Sequence, residues 1–314
     1  MNQTPFNRRD FLKSTGATGI ALLSAAQQSA AAPSTGMFLA LSSALTGTKV
    51  QWPEFARLAA RLGYGGADLN LNAAMKEGVD ATRSLYTDLK IRGSFCSLPV
   101  NTTGTQELFD RGMTTLDDAA KFIAAVGCPR MMMVLPTSST TPADELRKML
   151  SERLTTVAKV LAAHNVRLGL EFLGPLMFRT RAPHEFIWRM GDAVDFAKEI
   201  GPNIGVVLDA WHWHHSGATT DDIIKAGKSR IVTIHLSDAA KQAPEDVKDN
   251  QRLFPGEGVI NLVGFFQALK QIGYEDGVSP EVIGRVPAEM SAEEGAKLAL
   301  DASLAVMRKA GIAI

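Results

Sequence analysis

Apolar runs of strand length alternate with amphipathic helical stretches eight times along this chain, and this alternation restricts the fold more than any other feature. Repeated strand–helix units predict a parallel sheet that is covered by helices. The predicted strands are residues 37–41, 67–71, 93–98, 130–135, 166–172, 204–209, 230–236 and 278–283. The predicted helices are residues 52–62, 80–90, 105–126, 141–164, 183–200, 220–226, 262–272 and 292–310.

Chain length separates the two α/β architectures that such an alternation allows. Residues 33–314 hold eight units in roughly 280 residues, which is close to the usual length of a (β/α)8 barrel. A doubly wound open sheet is the alternative, but no glycine-rich dinucleotide loop follows the first predicted strand. We therefore predict an α/β fold with one domain, a (β/α)8 TIM barrel formed by residues 33–314.

The first 32 residues have the composition of an export signal. Arg8 and Arg9 precede Asp-Phe-Leu-Lys, a short apolar segment at 16–26 and a small-residue tract at 29–32. The apolar segment is too short for a stable membrane span, and the paired arginines resemble the twin-arginine signal. We predict a signal peptide at 1–32, export by the twin-arginine machinery and a periplasmic or secreted protein. A disordered basic leader is the alternative.

Charge and cysteine content exclude some partners. The 33 basic and 33 acidic residues cancel, so no overall field favours nucleic acid or an anionic membrane. The chain has only two cysteines, Cys96 and Cys128, which lie far apart in sequence. We expect both to be buried thiols rather than a disulfide.

Four consecutive predicted strands end in residues that can bind a metal. These residues are Glu171, Asp209, His235 and Glu281. In a barrel, the carboxyl ends of the strands meet at one rim, where the active site lies. A carboxylate at a strand end can instead cap a helix or form an ion pair, and a lone histidine can be a core residue. Four such residues in succession favour a site for one divalent metal ion, Mn, Mg, Co or Zn.

The stretch after Asp209 concentrates aromatic and histidine residues. Trp211 and Trp213 are predicted either to form an apolar wall against a sugar ring or to pack between barrel and helices. His214 and His215 are open to several roles, and for His215 we favour an exposed loop position. Neither histidine belongs to the predicted metal site.

Several motifs together resemble the sugar phosphate isomerase/epimerase family, the xylose-isomerase-like barrels. Leu170-Glu171-Phe172 ends the fifth predicted strand, and Glu281 ends the eighth. Between them stand Leu-Asp-Ala-Trp-His at 208–212, His-Leu-Ser-Asp at 235–238 and Pro-Gly-Glu-Gly at 255–258. The segment 63–68 also looks like the second strand of that family, with Asp68 where glutamate is more usual. The resemblance covers almost all of residues 33–314.

Ketose 3-epimerases of that family bind one divalent metal through Glu, Asp, His and Glu. Carried over by motif, the resemblance implies that Glu171, Asp209, His235 and Glu281 are the ligands, and that the two glutamates are the acid/base pair. It also implies that His212 contacts the substrate. Lys241 stands where those enzymes use an arginine, and lysine lacks the planar two-pronged fork of arginine. Lys241 is nevertheless the predicted second substrate contact.

The resemblance implies a metal-dependent isomerase or epimerase that removes a proton next to a carbonyl held by the metal. No glycine-rich phosphate cradle is visible in the sequence, so the expected substrate is an unphosphorylated sugar or polyol ketone. A lyase or dehydratase of the inosose dehydratase or 3-keto-glycoside type is the main alternative. An abasic-site endonuclease and a non-enzymatic sugar-binding protein rank lower. The oligomeric state stays open, with a homo-oligomer compatible with the family.

Overall fold

A nine-stranded parallel sheet lies at the centre of the protein, in a computed structural model that describes residues 36–286 and 289–314. The predicted signal peptide lies outside these residues, so it stays a prediction. The strands are β1 (Phe38–Leu41), β2 (Gly66–Ala67), β3 (Arg92–Gly93), β4 (Cys96–Ser97), β5 (Arg130–Val134), β6 (Ser138–Ser139), β7 (Arg167–Glu171), β8 (His184–Glu185), β9 (Ile204–Asp209), β10 (Ile231–Leu236) and β11 (Gly277–Pro280). Their order in the sheet is β3-β2-β1-β11-β10-β9-β7-β5-β4, while β6 and β8 form a separate antiparallel pair.

The sheet closes because its two outermost strands are consecutive in the chain. Only Ser94 and Phe95 separate β3 from β4, and both residues continue the hydrogen-bond ladder with the second strand. The amide of Ser94 donates to Ala67 O at 3.0 Å, and the amide of Leu69 donates to Phe95 O at 2.8 Å. The two short strands are therefore parts of one interrupted strand, and the predicted (β/α)8 TIM barrel is confirmed.

Twelve α-helices within the described residues surround or cap the barrel. They are α1 (Ser43–Thr46), α2 (Glu54–Leu62), α3 (Leu71–Glu77), α4 (Val79–Leu89), α5 (Gln106–Ala125), α6 (Ala143–Ala163), α7 (Leu176–Arg179), α8 (Met190–Ile200), α9 (Ala210–His215), α10 (Thr220–Ala226), α11 (Leu262–Gln271) and α12 (Ala292–Lys309). The last helix illustrates why the long ones form. Ser291 and Glu294 make a reciprocal capping box at its start, and residues at helical spacing, including Ala296, Leu300 and Met307, are buried.

Some element boundaries differ from the prediction, and local hydrogen bonds explain why. The second strand stops at Ala67, because the Asn70 side chain accepts a bond from the amide of Ala73 and starts α3. The predicted helix 183–200 begins only at Met190, since residues 184–185 pair with β6 instead.

The aromatic and histidine residues after Asp209 form the short helix α9. Asp209 caps that helix, accepting the amide of Trp211 at 2.7 Å. Trp211 and Trp213 are both buried, and the ring of Trp213 lies 5.3 Å from that of Phe265 in α11. The packing alternative for these tryptophans therefore agrees with the structure.

Strand register brings three of the four predicted ligands side by side. His235 is the register partner of Asp209 in β9 and of Ser279 in β11. Glu171 ends the neighbouring strand β7, opposite Val207. These residues lie at the carboxyl ends of parallel strands, which is the end where barrel enzymes build their sites.

Two further expectations concern the cysteines and the membrane. Cys96 and Cys128 are buried free thiols, as predicted. Over residues 36–286 and 289–314, the search for a helix with the length and apolar character to cross a membrane finds none.

Candidate metal centre

Glu171, Asp209, His235 and Glu281 converge on one point at the rim of the barrel. Each offers one ligand atom, and these four atoms lie within 4.8 Å of one another. Asp209 is fully buried, and the Glu171 and His235 side chains are nearly so, whereas one fifth of the Glu281 side chain is exposed. Glu281 therefore forms the open side of the cluster, and the other three residues form its closed floor.

His235 holds the two glutamates together. Its Nδ1 lies 2.8 Å from Glu171 Oε1 and 3.3 Å from Glu281 Oε2. Burial by itself lowers the pKa of His235, but the carboxylates of Glu281 and Glu171 raise that pKa well above its usual value. The two carboxylates therefore favour the protonated form of the imidazole, whose Nδ1 faces both of them.

The two glutamates have different electrostatic environments. Burial raises the pKa of Glu171, and His235 only partly offsets this effect. Burial also acts to raise the pKa of Glu281, but His235 and Arg252 lower it below its usual value. Carboxyl groups whose pKa values are shifted in opposite directions can take opposite roles in proton transfer.

The donor set fits a divalent cation. Three carboxylates and one imidazole match the ligand types that Zn²⁺ and Mn²⁺ accept, and three buried acids are costly to hold together without added positive charge. Nδ1 of His235 faces the carboxylates and is the nitrogen that a metal would use. The other ring nitrogen, Nε2, is buried without a hydrogen-bond partner among the described residues. The cluster could therefore hold one metal ion, as predicted.

Arg252 supplies a fixed positive charge to this cluster. Its Nη1 lies 2.7 Å from Asp209 Oδ2 and 2.9 Å from Glu281 Oε2, and its Nη2 lies 2.9 Å from Asp249 Oδ1. Burial acts to lower the pKa of Arg252, but these carboxylates raise it above its usual value. The guanidinium is only 2% exposed, so it belongs to the interior of the site.

Asp238 positions the loop that carries Arg252. Its carboxylate accepts four backbone amides, from Ala239, Gly256, Gly258 and Ile260, at 2.9–3.0 Å. Its own backbone pairs with that of Leu253, next to the arginine. Sequence patterns alone assign no role to Asp238, although the motifs His-Leu-Ser-Asp and Pro-Gly-Glu-Gly contain both ends of this interaction.

His212 lies beside the cluster, as the sequence predicts. Its Nε2 is 3.6 Å from Asp209 Oδ2 and 3.3 Å from Arg252 Nη2. Burial lowers the pKa of His212 to about 4, so the ring is neutral at ordinary pH. Its Nδ1 is buried and has no hydrogen-bond partner among the described residues. Substrate contact by His212 stays a prediction.

Lys241 lies apart from the four ligands. It is exposed, and it lines a cavity of about 600 Å³ together with Arg179, His214 and His215; we refer to this as the basic cavity. His215 is half-buried on α9 and makes an edge-to-face contact with Trp211, so our expectation of an exposed loop position for His215 was wrong. Substrate binding by Lys241 stays a prediction.

A second cavity, of about 510 Å³, opens where β1, β2 and β4 end. Hydroxyl and amide side chains line it, among them Thr48, Gln51 and Asn70, and its only acid within the described residues is Asp68. We call it the polar cavity. Asp68 Oδ1 accepts the hydroxyl of Ser279 at 2.7 Å, and burial raises the pKa of Asp68 to about 7. Asp68 thus links the polar cavity to β11, the strand that Glu281 follows.

A family model described as the xylose isomerase-like TIM barrel matches residues 56–307. The chain belongs to that family. Membership confirms the family resemblance inferred from the strand-end motifs. The matched region contains all four candidate ligands and the whole lining of the basic cavity, whereas part of the lining of the polar cavity, residues 43–55, precedes it.

Individual proteins are also similar to this chain in sequence or in fold. An inosose isomerase from Halalkalibacterium halodurans is 30% identical over 187 residues, which cover 59% of this chain and 64% of that protein. The alignment thus spans less than two thirds of the relative. A xylose isomerase domain protein from Alicyclobacillus acidocaldarius superposes with a TM-score of 0.80 at 27% identity, covering 88% of this chain and 100% of that one. The IolI protein, solved with a bound zinc atom, gives 0.74 at 22% identity, with coverage of 87% and 99%.

Proposed function

We propose that this protein is a metal-dependent isomerase or epimerase of an unphosphorylated sugar or polyol ketone. Two glutamates converge on the same group of candidate metal ligands, one of them buried and the other at the open side, and this arrangement is the main support for the proposal. A non-enzymatic binding site would not need this pair. The inosose isomerase relative supports the proposal, because an inosose is itself the ketone of a cyclic polyol.

When bound, a divalent ion would supply Lewis acidity that makes a proton next to the substrate carbonyl easier to remove. Glu171, Asp209, His235 and Glu281 would hold the ion. Glu281, at the open side of the cluster, would accept a proton from the substrate carbon. Glu171, whose pKa burial raises, would return a proton to the same carbon or its neighbour.

The polar cavity would hold the hydroxyl groups of the substrate. Its serine, threonine and amide side chains can both donate and accept hydrogen bonds, which is what a polyol requires. His212, which is neutral and whose Nε2 faces the cluster, would bond the substrate oxygen nearest the cluster. Substrate orientation would thus be set by neutral groups and proton transfer by the two glutamates.

Incubation in heavy water with a panel of ketoses, inososes and 3-keto-glycosides tests the proposal. Deuterium entering next to the carbonyl, with no group lost from the substrate, is the expected result. Loss of a hydroxyl or a glycosyl group would instead identify a lyase or dehydratase that uses the same residues. Absence of exchange with every substrate, in protein loaded separately with Mn, Mg, Co and Zn, would refute both reactions.

A further inference from the structure

The basic cavity lies at the same end of the barrel as the metal centre, between three rim segments. Arg179 comes from α7, His214 and His215 from α9, and Lys241 from the loop after β10. Every titratable side chain among the described residues that line this cavity is basic. Its volume, about 600 Å³, is within the range of pockets that hold small organic ligands.

The charges around His215 make this region electropositive. Burial, together with the neighbouring His214, Arg252 and Arg179, lowers the pKa of His215 to about 4 against the opposing effect of Asp209. The Nε2 of His215 is also buried with no hydrogen-bond partner among the described residues. Glu185 is the acid that acts on Arg179, and it does not line the cavity, so the lining itself offers its cations no carboxylate and retains an unused hydrogen-bonding atom at His215.

The two rim cavities differ in charge. The polar cavity has neutral hydroxyl and amide groups and one acid, Asp68, whereas the basic cavity has two permanent cations, Arg179 and Lys241. A neutral polyol suits the first cavity, but it would bring no opposite charge to the cations of the second. An anionic group would bond to both cations, and such charge-assisted bonds are stronger than neutral ones.

Direct contacts connect the basic cavity to the metal centre. The ring of His215 lies 4.6 Å from that of Trp211, and the guanidinium of Arg252 lies 4.7 Å from the same indole. Arg252 in turn bonds Asp209 and Glu281. A ligand in the basic cavity would thus be only a few side chains away from the reacting groups.

We propose that the basic cavity binds the anionic group, a carboxylate or a phosphate, of a small organic molecule. Arg179 and Lys241 provide the charge, and His215 provides an additional hydrogen bond. Arg179 is held for this role, since its Nε donates to Gly174 O at 3.1 Å and its guanidinium stacks 3.6 Å above the ring of Trp188. This site rests on the cavity alone and does not require the isomerase reaction.

Calorimetric titration without turnover tests this proposal. The probes are D-glucuronate, D-glucose 6-phosphate and D-glucose, which share a ring and differ in charge. They are added to metal-loaded protein and to protein treated with a chelator. Saturable binding of at least one anion, with no comparable binding of D-glucose, is expected in both forms. The tighter of the two anions identifies carboxylate or phosphate as the preferred group.

Two variants locate the site, and a third is the matched control. Arg179→Gln and Lys241→Gln should each weaken anion binding about ten-fold, the usual effect of losing one charge-assisted bond. Lys121→Gln, on the exposed face of α5, should leave the affinity unchanged. Equal binding of glucose and the anions, no anion binding, or equal affinities in all three variants would overturn the proposal. Thermal melts confirm that the variants are folded.

Discussion

One guanidinium nitrogen joins two of the candidate metal ligands: Arg252 Nη1 lies 2.7 Å from Asp209 Oδ2 and also 2.9 Å from Glu281 Oε2. Asp209 is fully buried, and its pKa is nevertheless below its usual value; burial acts to raise that pKa, but Arg252 and His212 outweigh the effect. The arginine therefore keeps the acid ionised, and an ionised ligand is ready for a metal.

Replacing Arg252 by methionine should destabilise the metal-free protein strongly. The substitution leaves two carboxylates near one another without their cation, and breaking a buried pair in this way costs about 3–5 kcal/mol. Urea unfolding in the presence of a chelator measures the loss. Addition of Zn²⁺ or Mn²⁺ should recover part of it, because the ion returns positive charge to the cluster.

Arg285→Met is the control for this experiment. Arg285 pairs with Glu257 at 3.0 Å, but both side chains are exposed, and such pairs contribute about 1 kcal/mol or less. Equal losses in the two variants would contradict a buried electrostatic role for Arg252.

Glu281→Gln should separate metal binding from proton transfer. Glutamine keeps one oxygen for the ion, so affinity should fall only about ten-fold, the order of magnitude seen for altered metal sites. It cannot accept a proton, so deuterium uptake by the substrate should stop. Metal titration and isotope exchange measure the two effects. Glu293→Gln, exposed on α12, should change neither; exchange at the wild-type rate in Glu281→Gln would refute the acid/base role.

Asp68 should make the stability of the metal-free protein depend on pH. Its pKa is about 7 in the folded protein and 3.8 ordinarily, so the folded state binds this proton more tightly. The resulting stabilisation is complete below the ordinary value and is lost as pH rises through about 7. Between these values the loss should approach ~1.4 kcal/mol per pH unit.

Asp68→Asn removes this dependence while keeping an oxygen for the hydroxyl of Ser279. Urea unfolding between about pH 5 and about pH 8 should therefore show the variant gaining on the wild type as pH rises. Asp144→Asn, at the exposed start of α6, should follow the wild type. A difference between Asp68→Asn and wild type that stays constant with pH would show that Asp68 ionises normally.

Gly174→Ala should disturb the helix that carries His212. A Cβ at this position would overlap the carbonyl oxygen of His212 and lie 2.6 Å from the amide nitrogen of Ser216. Backbone atoms must then shift, at a cost of about 1–3 kcal/mol, and metal affinity should fall because Asp209 caps the same helix. Gly191→Ala is the control, as nothing lies within 4 Å of its Cβ; it should be neutral or stabilising by about 0.5–1 kcal/mol.

The barrel and the metal cluster were predictable because each depends on local patterns. Glu171 and Asp209 close apolar strands, His235 lies one residue before the end of its strand, and Glu281 directly follows the last one. The parallel arrangement then brings all of these positions to one rim. Strand boundaries near Asn70 were less predictable, since a single side-chain cap ends the strand there.

The positions of Arg252 and Lys241 could not be read from the sequence. Both follow β10 in a long polar loop, and the family resemblance implies a substrate contact at Lys241. The structure buries Arg252 at the cluster, because Asp238 bonds the amides of Gly256 and Gly258 and folds the loop back over it. Long-range contacts of this kind leave no periodic signal. Export of the chain by its first 32 residues also stays a proposal, testable by locating the protein after substitution of Arg8 and Arg9.

Four backbone amides donate hydrogen bonds to Asp238 and hold the loop that carries Arg252, so they help to determine the net charge of the metal centre. Because these hydrogen bonds hold the loop in place, Arg252 stays at the cluster when an ion binds. The ion therefore shares the carboxylates of Asp209 and Glu281 with the guanidinium. The formal charges of the three carboxylate ligands, the Arg252 guanidinium and one divalent ion then cancel; Asp249, which also bonds Arg252, lies outside this ligand set. A centre without net charge favours a reacting group that is itself neutral, such as a ketone flanked by hydroxyls, and any acidic part of a ligand would have to lie elsewhere on the rim.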